Sequence, residues 1–138
     1  MKTLSLVALV VVGIVATTTL AALDKPAAMK RGAIVYKEYC QTCHQATGLG
    51  LGVVFPPVAK SDYLKSTPVA TIIKEVVNGK SGKVKVNGKE YNGVMAPMPA
   101  KYSAEDVASV LTYVYNSFGN SGGVVTAADV RKAVPKRK

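Results

Sequence analysis

Both cysteines and the only histidine of this 138-residue chain fall within five consecutive residues, Cys40-Gln41-Thr42-Cys43-His44. No other feature constrains the chain as tightly. Three nitrogen and sulfur ligands cannot close a structural zinc site, which wants four. Two cysteines this close in sequence do not staple a small domain. A redox dithiol of the thioredoxin type expects a strand ahead of it in a βαβ frame, whereas the residues before Cys40 read as helix. A simple disulfide leaves the histidine without a role. Covalent attachment of haem c uses all three side chains: the two thiols join the two vinyl groups as thioethers, and the next residue lies beneath the iron as its proximal ligand.

The N-terminal residues stand apart. Lys2 gives a positive start, Leu4 to Val15 carry no charge, and the small residues Thr17 to Ala22 precede the first acid, Asp24. This reads as a secretory signal peptide over residues 1–21, cleaved after Ala21 or Ala22. The competing reading is a retained anchor from Thr3 to Leu23, just long enough to cross a bilayer. Cleavage leaves residues 22–138 as one exported domain, expected in the periplasm, with no stable membrane insertion. At 49% hydrophobic and 19% charged, the chain is not a disordered segment. Eighteen Lys and Arg against eight Asp and Glu give a formal charge of +10. For an exported protein that charge points away from nucleic acid and toward acidic protein partners.

Periodicity predicts a first helix over Pro26–Tyr39 running into the cysteine motif, then a glycine- and proline-rich loop over Gly48–Pro57. A second helix is predicted with Thr67 as N-cap, Pro68 at the first helical position and Asn78-Gly79 as its stop. Val84 to Tyr91 change to a period of two around Asn87-Gly88, a short hairpin. Ser103, with Asp106 three residues on, opens a helix that reaches about Phe118 along the stripe Val107, Val110, Leu111 and Val114. Gly119–Gly123 is a turn, and Thr126 with Asp129 caps a last short helix before Pro135.

Gly32, Tyr36, Cys40, Cys43 and His44 match the pattern G-x-x-x-[FY]-x-x-x-C-x-x-C-H. In this the chain resembles the class I, mono-haem cytochromes c. The likeness continues through residues 54–59, 91–95 and 110–114. It is nearest to the small periplasmic proteins and fused domains found with nitrite reductases, dehydrogenases and terminal oxidases. The resemblance implies an all-α fold of three main helices around one covalent haem c, here with the hairpin as an insertion. It also implies that Gly32 and Tyr36 lie where the first helix crosses the last, against Val110 and Tyr113. Pro56, twelve residues after His44, resembles the family proline whose carbonyl accepts the ligand histidine's Nδ1–H.

With no second histidine, a thioether is the natural sixth ligand. Met1 goes with the signal and Met29 precedes the motif, which leaves Met95 and Met98. Met98-Pro99 looks like the family's Met-Pro dipeptide. Family spacing to the Ser103 cap and the Asn92-Gly93-Val94-Met95 context favour Met95, although Ala96 stands where proline is usual. The resulting expectation is a one-electron carrier rather than an enzyme, acting freely or as the cytochrome subunit of a larger oxidoreductase. The alternative is a haem protein with an open sixth site for gas binding or peroxidase-like chemistry. Expected partners are redox proteins with acidic docking surfaces, meeting lysines 60, 65, 80, 83, 85, 89 and 101. The domain is expected to end in a basic C-terminal tail from about residue 124, whose last stretch, residues 131–138, reads either as a docking arm or as a frayed end.

Overall fold

The computed structural model describes residues 24–120 and 122–136. The expected signal peptide, residues 1–21, lies outside the described residues. The first helix, α1 (Lys25–Val35), starts at Asp24, whose carboxylate accepts the Ala27 N–H, with Pro26 in the first turn. It continues as a single π-helical turn, Tyr36–Cys40, and then α2 (Gln41–His44). The predicted first helix is thus continuous into the cysteine motif, but its last turn is π-helical rather than α-helical.

Beyond the glycine-rich loop, α3 (Asp62–Ser66) is capped by Ser61, whose hydroxyl accepts the Leu64 N–H. The next helix, α4 (Val69–Asn78), has Pro68 as its N-cap, not Thr67. Thr67 precedes a proline and is therefore held extended, at φ −88° and ψ 133°, and its N–H closes α3 on the Tyr63 carbonyl. Gly79 ends α4 at φ 81°.

Strands β1 (Lys80–Val86) and β2 (Lys89–Met95) pair antiparallel across Asn87-Gly88, both at positive φ as a two-residue hairpin turn needs. The hairpin is longer than predicted at its open end, where Lys80 pairs with Met95.

Ser103 and Asp106 form the expected capping box at the start of α5 (Ala104–Tyr115), with both reciprocal bonds made. This helix is buried on most of its circumference, through Ala104, Val107, Ala108, Val110, Leu111, Thr112, Val114 and Tyr115. Helix α1 crosses it, and Gly32 is the reason they can approach: a Cβ there would run into the Ser109 carbonyl and Tyr113. Ser109 and Tyr113, rather than Val110, are the partners of Gly32. The rings of Tyr36, Tyr113 and Phe118 stack mutually beside the crossing, with centroids 5.0–5.7 Å apart.

The Thr126–Asp129 capping box opens α6 (Ala127–Ala133). Residues 125–134 belong to the packed domain: Val125 and Val130 are in the core, and α6 packs on α4 and α5. The buried Thr112 hydroxyl donates to the Val125 carbonyl and accepts its N–H. Only about half of the described residues are helical, so the all-α expectation holds only in part. The architecture is a helical domain with a small two-stranded sheet.

Candidate functional site

The π turn sits directly ahead of Cys40, with the Gln41 N–H reaching back five residues to the Tyr36 carbonyl. Such a turn carries one residue more than an α turn, and so rotates the motif beyond it by about 100° relative to α1. Tyr36 can then stay on the α5 face while Cys40, Cys43 and His44 line an apolar cavity of about 370 Å3. Both cysteines are half-buried and not joined to each other. Burial, with a smaller push from Cys43, raises the Cys40 thiol to about 12. A thiol that stays protonated at neutral pH is the opposite of a thioredoxin-type nucleophile.

The His44 Nδ1 lies 2.9 Å from the Pro56 carbonyl oxygen. A carbonyl only accepts, so Nδ1 carries the proton and Nε2 keeps its lone pair. Burial pushes the imidazole below its usual pKa, and the Pro56 bond offsets part of that shift, so the ring is neutral and able to ligate. The loop is shaped to deliver this carbonyl. Gly50, at φ 67°, donates to the His44 carbonyl, and a side chain there would strike the Phe55 and Pro56 carbonyls.

Met95 and Met98 have separated. Met95 ends β2 and lines the cavity. Met98 is 2% exposed in the core cluster, its N–H bonded to the Val76 carbonyl, and it is not among the cavity-lining residues. The Tyr39 hydroxyl, one residue before Cys40, lies 3.3 Å and 3.0 Å from the carbonyls of Ala96 and Pro97. It ties the cysteine segment to the segment after Met95. The remaining wall comes from the loop at Val54–Val58, from Ile72 and Val76 of α4, and from Val110, Leu111 and Val114 of α5.

Two further features complete the wall, and sequence reasoning missed the second. The hairpin is a cavity wall: Val84, Val86, Tyr91, Gly93 and Met95 share its inner face. That grouping is what a two-residue turn and strict alternation dictate once the period of two runs on to residue 95. The second is a polar group on the wall. Glu75 accepts from the Tyr63 hydroxyl at 2.7 Å and the Lys80 ammonium at 2.6 Å. Lys80 is therefore an inward, paired residue and not part of an outer docking ring; the bond from Glu75 holds its pKa up. No signal in the sequence joins residues 63, 75 and 80.

Two cysteines beside a neutral, oriented histidine, with a thioether on the hairpin wall of the same apolar cavity, form a donor set that fits haem c. The family model described as cytochrome c oxidase, cbb3-type, subunit III, matches residues 27–114. The chain belongs to the cytochrome c family.

Like its family, this cytochrome c binds haem c covalently, with its iron, and transfers electrons. It is 32% identical to cytochrome c-552 of Thermus thermophilus, over 77% of this chain and 86% of that protein. It is also 31% identical to the cytochrome c subunit of a quinone alcohol dehydrogenase from Gluconacetobacter polyoxogenes, and 28% identical to a cbb3-type cytochrome c oxidase subunit from Azospirillum sp. (strain B510). Those alignments cover 73% and 64% of this cytochrome c, but only 22% and 28% of the larger proteins. No helix among the described residues is long and apolar enough to cross a membrane.

Proposed function

We propose that this cytochrome c is a periplasmic one-electron carrier, exported by residues 1–21, in which Cys40 and Cys43 would hold haem c and His44 and Met95 would ligate its iron. When bound, the haem supplies a reversible ferric–ferrous couple. The chain's own residues do the rest. The Pro56 carbonyl fixes the His44 ring and increases its basicity. The Met95 thioether favours the ferrous state and so raises the potential. The hairpin's inner face and the aliphatic wall exclude water. His44, held by the Pro56 carbonyl, and Met95, held in the strand pairing, would offer the iron the same two donors in both oxidation states, which suits a carrier. The electron passes from a dehydrogenase or membrane donor to a terminal reductase or oxidase; relatives named as dehydrogenase and oxidase subunits support that direction.

The observation that carries this reading is that a carbonyl-pinned His44 and Met95 line one cavity while Met98 is packed in the core. The test is a potentiometric titration of the holoprotein followed by carbon monoxide addition. Titration as a single one-electron couple, with a reduced spectrum untouched by carbon monoxide, is expected. Ready formation of a carbonyl complex would mean an open sixth position and would favour a gas-binding role instead.

A further inference from the structure

The most exposed large apolar side chains of the described surface are gathered in one place. Leu49, Leu51, Val53, Val54 and Val94 are each 52–76% exposed. Four lie on the loop after His44 and the fifth on the outer face of β2. The loop and strand touch: Lys89 Nζ donates to the Gly52 carbonyl at 3.1 Å, and the Val54 carbonyl is 3.2 Å from where a Gly93 Cβ would sit. The loop is not loose. Leu51 and Phe55 exchange both backbone hydrogen bonds, and Gly50 is bonded to His44. Val54 and Val94 reach the cavity edge, whereas Leu49, Leu51 and Val53 do not line it, so haem burial leaves those three in water. Single exposed apolar residues need no explanation; a rigid cluster with a polar border marks an interaction surface.

We propose that these five side chains are the contact face for an electron-transfer partner whose own face is apolar and bordered by carboxylates. This rests on the carrier reading above. The border on this side is net cationic: Lys83, Lys85 and Glu90 share the outer strand face with Val94, Lys83 paired with Glu90 at 3.0 Å, and Lys89 of β2 reaches over to the loop at the Gly52 carbonyl. A formal charge of +10 disfavours a second copy, which would set lysine against lysine. Apolar contact here expels water at the cavity edge and brings the partner's redox centre near it. One electron crosses per encounter, leaving this protein oxidised and the partner reduced, with no bond made or broken. A small apolar face permits rapid release, and the lysines chiefly speed encounter.

The test uses reduced holoprotein, washed membranes of the organism that makes it as acceptor, and ferricyanide as a small-molecule control. Leu51→Ser/Val53→Ser, and separately Leu49→Ser, all outside the cavity lining, should keep the haem spectrum and the ferricyanide rate yet lose about tenfold with membranes. Lys83→Gln/Lys85→Gln should lose only about threefold, a difference that vanishes at high salt. Wild-type rates in both apolar variants would overturn the proposal. So would a concentration-dependent dimer, or binding to anionic phospholipid vesicles, that those variants abolish. A wild-type protein that reacts with ferricyanide but exchanges no electrons with the membranes would instead overturn the carrier reading.

Discussion

At the scale of single residues, the site depends on one acceptor and the glycine that lets it in. The Pro56 carbonyl orients His44 because the chain between them doubles back at Gly50, which adopts φ 67° with two carbonyls where a side chain would go. Gly50→Ala should therefore cost about 1–3 kcal/mol, from left-handed strain plus collision. It should also lower the potential, because a displaced Pro56 no longer supports the imidazole. Denaturant unfolding and redox titration of the variant check both, and unchanged values would contradict the account. Much of this was legible in the sequence, because Cys40, Cys43 and His44 are adjacent. The roles of Tyr39, Tyr63, Glu75 and Lys80 were not, since partners such as Tyr39 and Ala96 meet only once the hairpin has folded back.

Among elements, local signals with a hydrogen-bond mechanism were the readable ones. The Ser103–Asp106 and Thr126–Asp129 boxes, the Asn87-Gly88 turn and the Gly79 stop each satisfy backbone groups by themselves. Thr67 misled because two helices compete for it, and the π turn left no trace because nothing local favours an extra residue there. The Ser103–Asp106 box also joins elements, since Arg31 of α1 bonds the Asp106 carboxylate at 2.6 Å. Burial alone would raise the pKa of Asp106, but Arg31 and Ser103 together hold it below its usual value. A carboxylate depressed on folding contributes stability above its unfolded pKa, and loses it as pH falls through the folded value. Asp106→Asn should thus cost about 0.5–1 kcal/mol near neutrality, a difference that shrinks toward zero as pH falls below the ordinary carboxylate range and through the lowered folded value. Urea midpoints of both proteins across pH measure this, and a difference independent of pH would contradict it.

For the whole molecule, the haem domain is closed by its last residues as much as by its first helix. Val125 and Val130 enter the core, and Thr112 has both of its polar partners on Val125. A chain ending at Gly123 should lose roughly 3 kcal/mol or more, from lost burial and an orphaned hydroxyl; unfolding at the wild-type midpoint would mean the C-terminal segment is dispensable. The basic residues around 131–138 masked this in the sequence, because charge dominates the composition there while two valines supply the packing. The central claim, that the cavity holds its iron between His44 and Met95, is tested most directly by the ferric absorption spectrum of the holoprotein, read beside Met95→Ala and Met98→Ala. The weak far-red band of methionine–iron ligation should be present in wild type and absent in Met95→Ala. It should persist in Met98→Ala, which instead unfolds about 2–5 kcal/mol more easily as a core truncation. Loss of the band in Met98→Ala, with Met95→Ala unchanged, would contradict the account.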